Sequence, residues 1–295
     1  MSSLEHILAS QNRLGEGALW SVDEQVLYWV DIENRCYCRL NPASGAHETI
    51  SVGVMIGVLA QRSSGGLIMA TEKGIALWDP QGQNLRYIAH PAGIEKPYMR
   101  FNDGAVDCAG RFWAGTMHMD ESLGIRDGVL YRLDPDGSVH TMETGLGTPN
   151  GIGWSPDNAT MYFTDSDMAV RSVYAYDFDP TTGNISQRRV LAQFPPEMGT
   201  PDGLTVDSEG YIWSAFWDGA RIVRYDPSGK IEREIDIPAL RPTSCVFGGA
   251  NLNELYITSA STGLSAEQKA RYPFSGDLFR LSTNFRGLTK HKFAG

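Results

Sequence analysis

Residues 128–137 read Gly-Val-Leu-Tyr-Arg-Leu-Asp-Pro-Asp-Gly, and this stretch holds the pattern that decides the fold. Residues 129–133 have the period-two pattern of a half-buried β-strand. Asp134 and Pro135, followed by Gly137, are turn residues, because proline fixes φ and glycine supplies positive φ. A strand therefore ends here in a tight turn that leads into the next strand.

The same strand-and-turn signature recurs along the chain. Its further copies are Leu40-Asn41-Pro42, Trp78-Asp79-Pro80, Phe178-Asp179-Pro180, Tyr225-Asp226-Pro227 and a degraded Leu281-Ser282-Thr283-Asn284. An apolar or aromatic strand precedes each copy, at residues 27–30, 67–70, 112–115, 161–164, 212–215 and 255–258. Six copies in 295 residues give about 49 residues per repeat, which fits four short strands and three turns.

This repeat predicts an all-β chain that folds as a six-bladed β-propeller, with four-stranded antiparallel blades around a central channel. Radial repetition leaves few exposed sheet edges, which favours a propeller over a sandwich or jelly roll. No Pro/Ser/Gly-rich linker divides the sequence, so residues 1–295 are expected to form one domain. We expect residues 4–10 to pair with the last blade and close the ring. Residues 265–271 are the one predicted helical turn, with Ser265 as its cap.

Charge and targeting signals exclude several classes of partner. The formal net charge is -10, and an acidic surface repels nucleic acid and anionic membranes. The N-terminus lacks the pattern of a secretory signal, and no apolar run is long enough to span a bilayer, so the cytoplasm is the expected location. The four cysteines have no zinc-binding spacing and are expected to be free thiols.

Four polar residues occupy the same register in four repeats, on the strand predicted to line the channel. Each precedes a Ser or Asp by five positions and is followed by Gly or Asp-Gly: Glu16, Asn102, Asn150 and Asp202. Equal register in a closed ring means equal height, so these side chains are predicted to converge at one mouth of the channel. Thr243 takes this position in the sixth repeat, and the second repeat offers only Met55-Ile56.

Two carboxylates and two amides at one point predict a bound cation. Like charges in a partly desolvated pocket repel unless they are compensated. Carboxylate and amide oxygens suit Ca²⁺, Mg²⁺, Mn²⁺ or similar ions. The alternative, for each motif taken singly, is that Asn-Gly and Asp-Gly form β-turns. Arg100, two residues from Asn102, is predicted to bind an oxygen-rich ligand, since a cation beside a metal site is otherwise unfavourable.

At these residues the sequence resembles the gluconolactonase family, which includes regucalcin (senescence marker protein), bacterial aldonolactonases and luciferin-regenerating enzyme. The resemblance runs from about residue 14 to residue 280. It is carried by Leu14-Gly15-Glu16-Gly17, Arg100-Phe101-Asn102-Asp103-Gly104, Pro149-Asn150-Gly151, Pro201-Asp202-Gly203, residues 110–117 and residues 272–276.

The resemblance implies a six-bladed propeller and a set of site residues. By resemblance, Glu16, Asn150 and Asp202 match the metal ligands, and Arg100 and Asn102 match residues that bind substrate. Some relatives place an acidic side chain over the substrate from the loop at residues 118–121, where Glu121 is the match. His118, at the end of a channel-side strand, is a further candidate for binding substrate or transferring a proton.

The resemblance and these residues together imply a metal-dependent hydrolase that opens a sugar-acid lactone to the free acid. One divalent cation (Ca²⁺, Zn²⁺, Mn²⁺ or Fe²⁺ in relatives) would polarise the carbonyl, and Asp202 would act as the general base toward water. Arabinono-, xylono-, glucono- and galactonolactone all remain candidate substrates, and the oligomeric state is not readable. Two alternatives stay open: a non-enzymatic calcium-binding propeller of the regucalcin type, and a propeller that acts on organophosphates or other esters.

Overall fold

A computed structural model of the chain describes residues 3–295 and confirms the six-bladed β-propeller. Its 24 strands form six sheets of four antiparallel strands each. Sequential strands pair with one another within each blade, so every blade is an up-and-down meander. No helix within residues 3–295 is long and apolar enough to cross a membrane.

The strands are numbered in chain order, beginning with β1 (Leu4–Leu8), which belongs to the last blade. Blade 1 contains β2 (Gly15–Ser21), β3 (Val26–Asp31), β4 (Cys36–Leu40) and β5 (His47–Ser51). Blade 2 contains β6 (Ile56–Gln61), β7 (Leu67–Thr71), β8 (Gly74–Asp79) and β9 (Asn84–Ala89). Blade 3 contains β10 (Met99–Val106), β11 (Phe112–His118), β12 (Gly128–Leu133) and β13 (Val139–Leu146).

The second half of the ring follows the same plan. Blade 4 contains β14 (Pro149–Trp154), β15 (Thr160–Asp165), β16 (Ser172–Phe178) and β17 (Ile185–Gln193). Blade 5 contains β18 (Thr200–Val206), β19 (Ile212–Trp217), β20 (Arg221–Tyr225) and β21 (Ile231–Asp236). Blade 6 contains β22 (Arg241–Gly248), β23 (Glu254–Ala260) and β24 (Leu278–Ser282) and is completed by β1. The helical segments are 3₁₀ turns at Ala92–Ile94, Glu121–Leu123 and Pro196–Met198 and one α-helix, α1 (Ala266–Arg271).

The ring closes through its N-terminal strand, as the sequence predicts. β1 pairs with β24, with Leu4 opposite Leu281 and Glu5 opposite Arg280. The Arg280 guanidinium donates to the Glu5 carboxylate at 2.7 Å, which adds an ion pair to the ladder. The predicted helical turn is also present, because Ser265 caps α1 in a reciprocal capping box with Gln268.

Six apolar clusters form the core, one between each pair of neighbouring blades. The cluster between blades 3 and 4, for example, packs Trp113 against Trp154, with ring centroids 6.2 Å apart. Both faces of each inner strand are therefore covered, which explains why these strands are apolar on both sides rather than strictly alternating. The channel is walled by β2, β6, β10, β14, β18 and β22.

Each of these inner strands carries a β-bulge near the same end. The pairing register shifts after Glu16, Ile56, Phe101, Asn150, Pro201 and Pro242. A bulge turns the local side chain away from the regular pleat. The four polar residues in register lie at these bulges or directly after the residue where the register shifts. The bulges therefore explain why the same position of the repeat contributes a side chain to the site in four blades.

The glycines that follow the polar residues lie inside strands, so the β-turn alternative is wrong. At Gly151 and Gly203, the absence of a side chain permits close approach between neighbouring inner strands. A Cβ at Gly151 would lie 2.5 Å from the backbone nitrogen of Leu204 in the next blade. A Cβ at Gly203 would lie 2.7 Å from the Ser244 hydroxyl. Glycine at these positions lets the inner strands pack closely around a narrow channel.

The C-terminal segment, residues 284–295, crosses the end of the ring where the inner strands finish, opposite the bulges. The Ser208 amide donates to the Arg286 carbonyl at 2.7 Å, and the Ala294 amide donates to the Gly110 carbonyl at 3.0 Å. The Phe293 side chain is buried in the cluster between blades 2 and 3. No sequence pattern predicts this arrangement, which joins blades that are distant along the chain.

Candidate metal centre and active site

The four polar residues in register converge in one pocket at the bulged mouth of the channel. Glu16, Asn102, Asn150 and Asp202 all line it, together with Arg100. The four are almost fully buried, with only 3–6% of their surface exposed. The geometric expectation drawn from the repeat is therefore correct, because residues as far apart in sequence as 16 and 202 line the same space.

Two oxygen atoms in this pocket are buried and have no hydrogen-bond partner among residues 3–295. They are Oδ1 of Asp202 and Oδ1 of Asn150. An unpartnered buried polar atom costs about 1–3 kcal/mol, and more when the group is charged. Two such oxygens in one pocket, next to the carboxylate of Glu16, indicate a position where an electropositive partner is bound.

The amide of Asn150 is oriented by a hydroxyl that the sequence analysis missed. Ser166 donates its one proton to the Pro201 carbonyl at 2.6 Å. Its oxygen must therefore accept from the Asn150 amide, whose Nδ2 lies 3.0 Å away. The Oδ1 atom of Asn150 is thus turned toward the pocket. Ser166 directly follows β15, a strand-end position that the repeat alignment could have brought to attention.

Burial makes this pocket unfavourable for free carboxylates. Burial first, and then the neighbouring Asp103 carboxylate, raise the pKa of Glu16 to about 8, against a hydrogen bond from the Gly17 amide. The pKa of Asp202 is raised well above its ordinary value, by burial first and then by Glu16 and Asp103. Without a cation, the pocket therefore holds protons that a cation would displace.

The donor set fits an oxygen-seeking divalent cation. Glu16 and Asp202 supply carboxylate oxygens, and Asn150 supplies an amide oxygen. Within residues 3–295, no group of three His, Cys, Asp or Glu side chains could hold a metal ion. At this site the third donor is the amide oxygen of Asn150. Oxygen-only ligands are those that Ca²⁺, Mg²⁺ and Mn²⁺ prefer.

Asn102 and Arg100 form the adjoining wall. The Asn102 amide donates through Nδ2 to the Pro149 carbonyl at 3.0 Å, which ties blade 3 to blade 4. Its oxygen accepts from the Arg100 guanidinium at 2.6 Å. Arg100 thus presents a positive charge at the edge of the acidic pocket, where it faces any ligand that lies over the pocket.

His118 is the last residue of β11 and Glu121 lies in the loop that follows, and the structure separates them. Glu121 lines the central pocket and accepts from the Thr148 hydroxyl at 2.6 Å. His118 lines an adjoining cleft and not the central pocket. Its ring packs against the Tyr98 ring at a tilt of 31°, with centroids 4.8 Å apart. A direct role of His118 at the central pocket therefore has no geometric support.

Other polar residues near the channel are used by the fold. Thr243, in register in the sixth repeat, bonds the Gly15 carbonyl and the Thr258 hydroxyl, which ties blade 6 to blade 1. Asp31 accepts from the backbone of Arg13 at 2.9 Å, and Asp165 accepts from the backbone of Thr148 at 3.0 Å. Register alone therefore does not distinguish a site residue from one that closes the ring.

Fold and site together define a class: a six-bladed propeller with one cluster of buried oxygen donors at a channel mouth. The family model described as "SMP-30/Gluconolactonase/LRE-like region" matches residues 14–261. The chain belongs to this family, and the resemblance noted from its motifs is confirmed.

Similar proteins bear two kinds of name. The chain is 39% identical to pentonolactonase XacC of Haloferax volcanii, over 97% of this chain and 96% of the relative. It is also 39% identical to 6-deoxy-6-sulfogluconolactonase of Pseudomonas putida, over 99% of both chains. Regucalcin of Danio rerio is 36% identical over the whole of both chains. Among solved structures, a luciferin-regenerating enzyme superposes with a TM-score of 0.93 at 29% identity, over 100% of both chains.

Proposed function

We propose that this protein is a metal-dependent lactonase that opens a sugar-acid lactone to the free acid. The observation that carries the proposal is the pair of unpartnered buried oxygens, Asp202 Oδ1 and Asn150 Oδ1, beside Glu16. The family and its two lactonases, a pentonolactonase and a sulfogluconolactonase by name, support the same class of reaction.

Glu16, Asn150 and Asp202 would hold one divalent cation, with Ca²⁺, Zn²⁺, Mn²⁺ and Fe²⁺ as candidates. When bound, such a cation polarises an ester carbonyl and lowers the pKa of a coordinated water. Ser166 keeps the Asn150 oxygen turned toward this position, and the Gly17 amide steadies the Glu16 carboxylate.

Asp202 is the residue proposed to move the proton. Its carboxylate takes a proton from the attacking water as the water oxygen bonds to the lactone carbonyl carbon. The bond between that carbon and the ring oxygen then breaks, and the proton passes to the ring oxygen, which becomes a hydroxyl. One water is consumed, and no other reactant is needed.

Arg100 and Asn102 are proposed to hold the substrate. Their mutual hydrogen bond of 2.6 Å fixes the guanidinium over the pocket, where it faces the carbonyl and hydroxyl oxygens of a sugar lactone. Glu121, held by Thr148, lines the same pocket and is proposed to contact the hydroxyls as well. This polar wall favours a hydroxylated lactone over an apolar ester or an organophosphate.

A second function is supported by the regucalcin relative, and a solved relative is titled a calcium-binding protein, regucalcin. In this alternative the cluster binds Ca²⁺ and no turnover follows. The same donor set serves both functions, so the distinction depends on whether a lactone is consumed.

The test is proton release from a panel of aldonolactones by the purified protein. Arabinono-, xylono-, glucono- and galactonolactone are each measured with the native metal, after chelation, and after each candidate cation is returned. The rate without enzyme is subtracted, because these lactones also open spontaneously. The proposal predicts turnover that chelation abolishes and a cation restores. Stoichiometric Ca²⁺ binding without turnover of any lactone would establish the alternative.

A further inference from the structure

A second cleft adjoins the central pocket on the side of blades 3 and 4. It has a volume of about 280 Å³, against about 80 Å³ for the central pocket. Its walls are the loop after β11 and the loop after β15, with His118, Ser122, Ile125, Asp167 and Met168 among the lining residues. Substantially more space lies beside the acidic cluster than directly over it.

The two spaces are neighbours, because Glu121, Thr148 and Met168 line both of them. The Thr148 hydroxyl donates to Glu121 at 2.6 Å and holds the loop after β11 against the entrance of β14. The far end of a ligand whose reacting carbonyl lies over the acidic cluster would therefore reach Met168, at the border of the cleft.

The cleft is a built feature rather than a gap between loose loops. Asp120 caps the 3₁₀ turn at Glu121–Leu123 through the Ser122 amide, at 3.1 Å. On the opposite wall, Gly147 lies so close to Asp167 that a Cβ there would come within 2.2 Å of its carboxylate. Asp167 in turn accepts from the Ala169 amide at 2.7 Å. Both walls are fixed by hydrogen bonds and close packing.

His118 offers a hydrogen-bonding nitrogen inside this cleft. Its Nδ1 lies 3.1 Å from both the amide and the carbonyl of Asp120, so the Asp120 backbone holds this side of the ring. Within residues 3–295, Nε2 makes no hydrogen bond. Nε2 can donate to a ligand hydroxyl in one tautomer of the ring and accept from it in the other.

The charges around the cleft select against anions. Glu121 and Asp167 contribute two carboxylates to the lining, which contains no Lys or Arg. Arg126, outside the lining, binds Asp167 at 3.3 Å and Asp165 at 3.0 Å, so its charge is already shared between two carboxylates. A sulfonate or phosphate in the cleft would face like charges at short range.

We infer that this cleft, lined by His118, Ile125 and Met168, binds the uncharged hydroxyalkyl end of the lactone and excludes lactones with an anionic end. A hydroxyl of that end forms a hydrogen bond with Nε2 of His118, and its carbons pack on Met168 and Ile125. This inference rests on the proposed lactonase function and narrows its substrates to neutral sugar lactones with a carbon chain outside the ring.

A ladder of γ-lactones tests the length preference. Threonolactone has no carbon outside the ring, arabinono-γ-lactone has one, and galactono-γ-lactone has two. The kcat/KM is expected to rise by roughly tenfold or more from the first lactone to the last, because each added carbon gains contacts in a fitted pocket. Met168→Trp, which narrows the passage, is expected to flatten the ladder. Met119→Trp, at an exposed position outside the lining, is the matched control and keeps the wild-type ladder.

A second pair of variants tests the charge selection. Wild type is expected to hydrolyse gluconolactone with a kcat/KM roughly tenfold or more above that of 6-deoxy-6-sulfogluconolactone, from like-charge repulsion. Ile125→Lys adds a cation to the rim of the cleft and should reduce this preference about tenfold. Leu123→Lys adds the same charge on the same loop but outside the lining, and should leave most of the preference in place.

The outcomes separate the two proposals. Turnover of all γ-lactones with a flat wild-type ladder, or equal turnover of the neutral and sulfonated lactones, overturns the cleft assignment and leaves the lactonase proposal intact. An equal gain from Ile125→Lys and Leu123→Lys also overturns it, because the effect would then be general attraction. Absence of turnover with every lactone overturns the lactonase proposal and this inference with it.

Discussion

Two buried aspartates stand five positions apart, at opposite ends of the same inner strand, and their surroundings differ completely. Asp207, just after β18, is fully buried and accepts from the Trp213 indole at 2.9 Å and from the Arg224 guanidinium at 2.8 and 2.9 Å. The amides of Glu209 and Tyr211 add two further bonds. Asp202, within β18, is 3% exposed, and its Oδ1 has no hydrogen-bond partner in the described part of the chain.

The comparison separates a carboxylate that holds the fold from one that serves a site. The partners of Asp207 compensate the free energy of burying its charge, and most of them come from its own blade. Asp202 is surrounded by Glu16 and Asp103, which raise its pKa instead. A buried carboxylate with no compensating partner in the chain indicates that a ligand completes its surroundings.

Of all the variants considered, Asp202→Asn is expected to give the largest effect. The change should lower the lactonase rate and not the stability. Loss of the general base should lower the lactonase rate by roughly 10²- to 10⁴-fold. The chelated variant should be at least as stable as chelated wild type, because repulsion from Glu16 is relieved. Proton release and urea unfolding measure the two effects. A large loss of stability in chelator would mean that Asp202 supports the fold as Asp207 does.

Asp207→Asn is expected to give the opposite result. Arg224 would lose a buried partner, and breaking a buried ion pair costs about 3–5 kcal/mol. Urea unfolding measures this loss, and the activity per folded molecule should be retained. Asp136→Asn, in an exposed turn where the side chain accepts from Ser138, is the control and should cost less than about 1 kcal/mol. If Asp207→Asn left the free energy of unfolding unchanged, Asp207 would not be a carboxylate that holds the fold.

Ser166→Ala tests whether the site depends on a residue beyond the oxygen donors. Without the hydroxyl, the Asn150 amide loses the contact that turns its oxygen into the pocket. Removing such an orienting partner commonly lowers metal affinity about 10- to 100-fold. Equilibrium dialysis with Mn²⁺ measures the change. Ser172→Ala removes a buried hydroxyl of the same blade, bonded to the Val170 carbonyl, and should leave the affinity unchanged.

The smallest effect concerns pH. The pKa of Glu16 is raised from 4.5 to about 8, so the folded, chelated protein binds a proton that the unfolded chain releases. Stability in chelator should therefore fall as pH rises through this window, while cation affinity rises because the ligands must be deprotonated. The gap between the thermal midpoints with and without Mn²⁺ should widen by a few degrees from about pH 5 to pH 8. A constant gap, or an identical pH slope in chelated Glu16→Gln, would contradict this assignment.

Much of the fold could be predicted because its signals are local. Alternation and Asp-Pro turns mark each strand and its end, and the period of about 49 residues gives the blade count. The pairing of the N-terminal segment with the last blade could also be predicted, since a closed ring offers an N-terminal strand one position, beside the last blade. The C-terminal segment escaped prediction because its contacts, such as Ala294 with Gly110, join distant parts of the chain through backbone atoms that carry no sequence signal.

The sequence by itself determined the blades and the shared register of Glu16, Asn102, Asn150 and Asp202, because periodic spacing in a closed ring becomes equal height. Only the tertiary structure decided which of the residues in register remain unpartnered. Thr243 occupies the same register, yet its hydroxyl is used by Gly15 and Thr258. Whether a buried polar atom has a partner depends on groups brought together from separate blades, and spacing along the chain does not encode that.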